Sequence, residues 1–226
     1  MSTAPAAGTR LAVRHVQLAR AAFAAIAALM ITFSPDHSAI VGLSVFSGFA
    51  IATGLIWGAA AWLVYPAGRR WLSVLMGALC IVAGMIGGLT TLRSTTLFFS
   101  VVIAWALLSG LAEGIAGWRA LRHAQRADAA ERSAARSEER DGFTVGVITA
   151  VLGLGLLIVP GQYVLDYYIP DADQTFTLTG ITIAVGVFGA YAAIVAVYLG
   201  IAGFSPKREP SITTDAASTP RAEEGA

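Results

Sequence analysis

Charged residues and cysteine are both scarce in this sequence of 226 residues. Only 13% of the residues are charged and 56% are hydrophobic, whereas a soluble domain typically has about 25% charged and about 45–50% apolar residues. This imbalance excludes an ordinary soluble domain and predicts that many apolar residues face lipid. Cys80 is the single cysteine, which excludes an intramolecular disulfide and any CxxC metal or redox site.

Neither strong net charge nor an enzyme motif is present. The 15 basic and 14 acidic residues leave a formal charge of +1, so no global field attracts nucleic acid. There is no P-loop, GxSxG or HExxH motif, and the three histidines are dispersed. We therefore expect neither an enzyme nor a bound cofactor or metal. The single lysine, Lys207, and the abundant alanine are typical of a bacterial sequence with high GC content.

Six long uncharged runs lie between the charged residues. Six spans need about 120 apolar positions, and 56% of 226 residues supplies that number. The predicted fold is an all-α polytopic membrane protein with six transmembrane helices arranged as three parallel helical hairpins. The predicted spans are Val16–Phe33, Ala39–Val64, Trp71–Leu89, Thr96–Trp118, Phe143–Leu165 and Phe176–Phe204. Arg20 lies near the start of the first span, where its side chain can snorkel to the headgroups.

The same runs divide the chain into five regions. Residues 1–13 are a cytoplasmic tail, 14–118 hold the first four helices, and 119–141 form a charged helical linker. Residues 142–204 hold the last two helices, and 205–226, rich in Pro, Ser, Thr and Glu, form a disordered cytoplasmic tail.

The distribution of basic residues predicts the orientation. Fourteen of the 15 Lys and Arg residues fall on one side of the membrane, and only Arg93 falls on the other. Basic segments stay in the cytoplasm, so both termini are predicted to be cytoplasmic in a bacterial plasma membrane. The outer loops are then Ser34–Ser38, Thr90–Thr95 and Asp166–Thr175. The alternative is that the first run is a signal peptide with an apolar core at Ala21–Phe33.

An internal repeat favours a retained first helix. Shifting the sequence by 56 positions aligns the first predicted hairpin with the second without gaps, and Phe49–Trp62 matches Trp105–Trp118 best. The shift places Ala21 and Ala28 on Gly77 and Gly84. The fifth span repeats that spacing with Gly146 and Gly153, and the sixth matches weakly at Gly189. Such parallel repeats differ from the inverted repeats of many transporters.

Small residues at helical spacing mark candidate packing faces. They are Gly54, Gly58, Gly110, Gly114, Gly77, Gly84, Gly146 and Gly153. Small residues let helix backbones approach closely in lipid, where close packing replaces the hydrophobic drive. The pattern leaves open whether these faces pack within the chain, in a homo-oligomer, or against another membrane protein.

Glu113 is the one acidic residue well inside a predicted span. The simpler interpretation is an interfacial carboxylate that is hydrated, protonated or paired with Arg119 or Arg122. The alternative is a proton or cation site, because ionisable residues inside membranes are costly and often functional.

Three other charged groups have both a simple and a functional interpretation. The outer-loop carboxylates Asp166, Asp171 and Asp173 lack the ligand pattern of a Ca²⁺ site, so we expect a solvated loop. Asp36 and His37 form an outer pair that can titrate between about pH 5 and 8, although a surface histidine is usually incidental. Arg119, Arg122 and Arg126 belong to the solvated linker; contact with an anionic lipid is the alternative.

The glycine pattern resembles the HdeD-like family of small bacterial membrane proteins. The resemblance rests on the three parallel hairpins, the recurring G-xxx-G of the even helices, and Ser109–Ala116, with a Gly, a Glu and small apolar residues near a helix end. It covers about Val16–Phe204. It implies a non-enzymatic inner-membrane protein tied to acid or envelope stress, with no catalytic residue. A small transporter or proton conductor using Glu113, and a scaffold subunit of a membrane complex, are the alternatives.

Overall fold

The computed structural model describes residues 13–65, 68, 70–124, 129–170 and 173–205, with the backbone alone at 123–124, 129–138 and 169. The helices are α1 (Val13–Thr32), α2 (Ala39–Leu63), α3 (Arg70–Gly88), α4 (Thr95–Ala124), α5 (Ala129–Ile158) and α6 (Gly180–Phe204), with a 3₁₀ turn at Thr90–Leu92. The N-terminal tail, the C-terminal tail from residue 206, Arg126 and Asp171 lie outside the described residues.

All six predicted spans are helices long and apolar enough to cross a membrane. The prediction of an all-α polytopic membrane protein is confirmed. The helices form because these runs hold few charges and satisfy every backbone group internally, as the lipid interior demands. Their surfaces carry many exposed large apolar side chains, including Leu29, Leu55 and Ile201, as expected for a bundle that faces lipid on all sides.

The helices follow one another around a ring, and α6 closes the ring against α1. The closest helix pairs are α2 with α3, α4 with α5, and α6 with α1. Each close pair therefore joins the second helix of one predicted hairpin to the first helix of the next. The helices of one predicted hairpin, such as α1 and α2, pack less closely.

In two of these close pairs, glycines at equivalent positions of the repeat bring the helix backbones into close contact. In the first, a methyl group added at Gly77 of α3 would lie 3.2 Å from the Gly54 carbonyl oxygen of α2. In the second, a methyl group added at Gly146 of α5 would lie 2.9 Å from the Gly110 carbonyl oxygen of α4. Gly54 and Gly110 are related by the 56-residue repeat, so the repeat appears in the structure as a repeated helix contact.

The same relation holds about two helical turns further along α3 and α5. Gly84 packs against Ile51, and Gly153 packs against Leu107; Ile51 and Leu107 are again 56 positions apart. The third close pair has a different filling, because Gly189 and Gly203 of α6 receive the side chains of Ile31 and Leu18 of α1. Two of the three close pairs are therefore built alike, and the third differs in its packing.

The third predicted outer loop is a β-hairpin rather than an irregular loop. Residues Val164–Ile169 (β1) and Gln174–Thr179 (β2) form an antiparallel hairpin, with Tyr167 opposite Phe176. The rings of these two residues stack with centroids 6.0 Å apart, a cross-strand pair typical of a stable hairpin. The predicted fifth and sixth spans consequently run too far: α5 ends at Ile158 and α6 begins at Gly180.

The bundle has two distinct ends. We call the end where α1 begins and α6 ends the terminal face, and the opposite end, which carries β1 and β2, the hairpin face. The centre of the bundle holds a cluster of edge-to-face and stacked rings: Phe46, Phe49, Trp105, Phe188 and Tyr191. All five are buried, so this cluster fills the interior between the two ends.

Candidate functional site: a polar cavity at the terminal face

A buried ion pair joins α1 to α4. Arg20 Nη1 donates to Glu113 Oε1 at 3.0 Å, and Arg20 Nη2 donates to Glu113 Oε2 at 3.3 Å. Their side chains are only 11% and 5% exposed. Two expectations are therefore corrected: the Arg20 side chain pairs inside the bundle rather than snorkelling to the headgroups, and the partner of Glu113 is Arg20 rather than Arg119 or Arg122. Two charges that neutralise one another are far cheaper to place inside a bundle than either charge alone.

Trp57 of α2 completes this group. The guanidinium carbon of Arg20 lies 4.6 Å from the centroid of the Trp57 ring, within the range of a cation–π contact. Trp57 is buried, and its indole Nε1 has no hydrogen-bond partner. Glu113 and Trp57 occupy equivalent positions of the 56-residue repeat, so the repeat places both at one level of the bundle.

A second polar group links α1, α5 and α6. Gln17 Nε2 donates to Asp141 Oδ2 at 3.0 Å, and the Tyr198 hydroxyl donates to Asp141 Oδ1 at 3.1 Å. Both donors are neutral, so the negative charge of Asp141 is hydrogen-bonded but not neutralised. Gln17 is buried, and its carbonyl oxygen Oε1 has no partner.

Both groups contribute to the lining of one cavity of about 550 Å³, the first through Arg20, Glu113 and Trp57 and the second through Gln17 and Asp141. Its walls come from all six helices and from Tyr65 and Gly68 between α2 and α3. It runs from exposed residues of the terminal face, including Trp71 and Arg119, to Arg20 and Glu113. Ligand pockets in proteins are typically about 300–1,000 Å³ and mostly apolar, with a few convergent polar groups. The cavity has both properties.

A smaller void lies beyond the ion pair, toward the aromatic cluster. Its volume is about 10 Å³ and its lining includes Thr53, Thr149 and Tyr191, so it is large enough for about one water molecule. The Thr149 and Tyr191 hydroxyls lie 3.0 Å apart, and Thr53 Oγ1 has no partner. Past this point the aromatic rings fill the interior. The described residues therefore enclose a cavity at one face rather than a pore through the bundle.

Among the residues that the structure describes, the acidic side chains of the predicted outer loops do not gather into a site. Asp166 accepts a hydrogen bond from Thr177, and Asp173 accepts one from Tyr168. Asp36 accepts from both the backbone and the side chain of Ser38, next to His37. No group of three metal-ligating residues exists among the residues that the structure describes. Each of these carboxylates is hydrogen-bonded within its own loop or hairpin.

The predicted packing glycines fall into two kinds. Gly54, Gly77, Gly84, Gly110, Gly146 and Gly153 lie in tight helix contacts, where an added methyl group would meet a neighbouring helix at 3.2 Å or less. Gly58 and Gly114 have more room: an added methyl group meets nothing within 4 Å at Gly58, and lies 3.8 Å from the Gly146 carbonyl carbon at Gly114.

Arg119 and Arg122, the two predicted lipid-contact arginines that the structure describes, have different surroundings. The Arg122 guanidinium carbon lies 3.9 Å from the centroid of the exposed Trp118 ring, and Arg119 lines the mouth of the cavity. A matching contact places Arg70 5.1 Å from the Trp62 ring. Trp62 and Trp118 are repeat equivalents, so two aromatic–arginine pairs mark the level of the terminal face.

Sequence reasoning missed most of the cavity. The sequence predicts a headgroup position for Arg20, and it does not mark Gln17, Trp57 or Asp141 as part of a site. The available signal was the repeat itself, which aligns Trp57 with Glu113 and so marks both as neighbours of the bundle centre. Comparison of the chain with family models, curated proteins and solved structures finds no match.

Proposed function

We propose that this chain is a non-enzymatic, multi-pass protein of a bacterial plasma membrane that binds a small amphiphilic molecule from the cytoplasmic side. The observation that carries the proposal is the cavity of about 550 Å³ at the terminal face, with a buried ion pair at its inner end. The orientation rests on the excess of basic residues at that face, and the binding role rests on apolar walls with two unpartnered polar atoms.

The HdeD-like resemblance extends the proposal to a role in acid or envelope stress. Three hairpins arranged in parallel, with repeated glycine contacts, support that assignment. Within this interpretation the protein acts by holding a ligand or a membrane partner rather than by catalysis.

Proton or cation conduction through Glu113 is the second candidate. In its favour, polar groups continue from the ion pair to Thr149 and Tyr191. Against it, any cation reaching Glu113 must displace Arg20, and the buried rings close the path to the hairpin face. One-sided binding therefore explains the geometry better than conduction does.

Cysteine accessibility tests one-sided binding against conduction. In a Cys80→Ser background, Ala116→Cys places a thiol in the cavity wall, and His37→Cys places one at the hairpin face. We expect a membrane-impermeant maleimide to label residue 116 in inside-out vesicles only, and residue 37 in intact spheroplasts only. Labelling of residue 116 from both sides would favour conduction, and labelling from neither side would reject an open cavity.

A further inference from the structure

Charged side chains of both signs line the cavity. Glu113 and Asp141 are acidic, whereas Arg20 and Arg119 are basic. Arg20 and Glu113 neutralise one another, and Arg119 is an exposed residue at the mouth. Asp141 remains as a carboxylate between the ion pair and the mouth.

The hydrogen-bond donors to Asp141 are neutral. Its two oxygens accept hydrogen bonds from the Gln17 amide and the Tyr198 hydroxyl. Neither of these bonds neutralises the carboxylate. A carboxylate in a partly buried, low-dielectric setting gains more from a cation than one in water does.

The neighbouring amide adds a directional acceptor. Gln17 Nε2 binds Asp141, so the unpartnered Gln17 Oε1 belongs to an amide held at that carboxylate. A buried carbonyl without a partner is costly, and an N–H group of a ligand would satisfy it. Carboxylate and carbonyl together are suited to a protonated amine, which presents both positive charge and N–H donors.

The rest of the wall suits an apolar body. Tyr65, Trp57, Trp71, Leu72, Ile115 and Val145 line the cavity. Arg20 lies over the Trp57 ring, so the cavity already holds one cation beside an aromatic ring. Aromatic walls near carboxylates favour organic cations over anions.

We infer that the cavity binds hydrophobic amines in their protonated form, with the ammonium group held by Asp141 and the Gln17 carbonyl and the apolar body against the aromatic wall. This inference rests on the proposed function, because it names the chemical class of the ligand for the same cavity. It commits to the charge of the ligand, which the proposed function does not.

Three ligands that share one ring system and differ in charge provide the test. They are 2-naphthylmethylamine, 2-naphthylmethanol and 2-naphthoate, which are cationic, neutral and anionic at pH 7. The full chain is reconstituted in nanodiscs of zwitterionic lipid, and binding is measured by equilibrium dialysis against empty nanodiscs. We expect the amine to bind about tenfold more tightly than the alcohol, as for a hydrogen bond to a charged group, and the naphthoate to bind most weakly.

Three variants locate the binding. Asp141→Asn should weaken the amine about tenfold and leave the alcohol unchanged, whereas Asp36→Asn at the hairpin face should change neither. Ala116→Phe, which fills the cavity, should weaken all three ligands. Thermal unfolding of each variant checks folding, and Gln17→Leu gives a second test of the same contact if Asp141→Asn does not fold.

The outcomes separate the two proposals. Equal binding of amine and alcohol, or preference for naphthoate, overturns the inference about charge and leaves the binding cavity in place if Ala116→Phe still weakens binding. Binding that Ala116→Phe does not change, or no binding of any ligand, overturns both proposals.

Discussion

Arg20 and Glu113 are 93 positions apart in the chain, yet they form two parallel hydrogen bonds between α1 and α4. The pair links the first repeat to the second at the inner end of the cavity. Its charges are almost fully removed from solvent, so loss of either partner leaves the other as a buried, uncompensated charge.

The first prediction concerns this pair. Glu113→Gln should destabilise the protein by about 3–5 kcal/mol, because Arg20 remains buried without a counter-charge. The double variant Arg20→Met/Glu113→Met removes both charges and should recover most of that loss. The measurement is thermal unfolding in detergent micelles, followed by intrinsic fluorescence. Asp36→Asn serves as the control, because it removes an exposed carboxylate; Glu113→Gln as stable as this control would contradict the structural role of the pair.

The second prediction concerns the close contact between α4 and α5. A methyl group added at Gly146 would overlap the backbone of Gly114, so Gly146→Ala should force the helices apart and destabilise the bundle by about 1–3 kcal/mol. Gly155→Ala lies on the same helix, where the added methyl group meets nothing within 4 Å. The same unfolding assay should show Gly155→Ala unchanged or slightly stabilised. Equal effects of the two variants would mean that helix propensity, rather than helix packing, determines the change in stability.

The third prediction concerns pH and the hairpin. The Tyr168 hydroxyl donates to Asp173 Oδ1 at 2.6 Å, and this hydrogen bond raises the pKa of Tyr168. Because the folded pKa is raised, the contribution of this bond to hairpin stability is complete below the ordinary pKa of tyrosine, about 10. It disappears as pH rises through the raised value. Ultraviolet titration should show that Asp173→Asn lowers the pKa of Tyr168 toward its ordinary value. Asparagine is the suitable replacement, since residue 173 has φ 48°, a conformation that Asn tolerates. An unchanged pKa would mean that a group other than Asp173 raises the pKa of Tyr168.

The fourth prediction concerns orientation. The C-terminus should lie in the cytoplasm and the turn between β1 and β2 should lie outside, because the sequence places 14 of the 15 basic residues on the side of the predicted termini. Alkaline phosphatase and green fluorescent protein fusions give opposite signals and provide the comparison. Activity of both sites on the same side would contradict six membrane crossings.

The number of helices and most of their starts were predictable because hydropathy is a local property. Each span is an apolar run with at most one charged residue, and four of the six predicted starts lie within three residues of the helices observed. The hairpin was missed for the same reason. Val164 and Phe176 are apolar, and a count of apolar residues assigns them to the adjacent spans, although the alternating pattern in this region is that of strands.

The contacts of the cavity were less predictable because they join distant parts of the chain. Arg20 alone resembles an interfacial residue, and its position near the start of a span supports that interpretation. Arg20 of α1 reaches Glu113 of α4 across the interior of the ring, so its partner is set by the assembly of the whole bundle. The repeat predicted which small residues are equivalent, but it did not predict that each close pair joins one hairpin to the next.

The ring has a consequence for biosynthesis. Helices enter the membrane in chain order, so α1 arrives with Arg20 long before α4 supplies Glu113. Its closest neighbour, α6, is the last helix to be made. A charge without a partner is costly in the lipid interior. We therefore expect the nascent α1 to be the least stable helix until α4 and α6 have been made. The cavity is therefore a late product of assembly, and any factor that retains early helices at the insertion site would act first on α1.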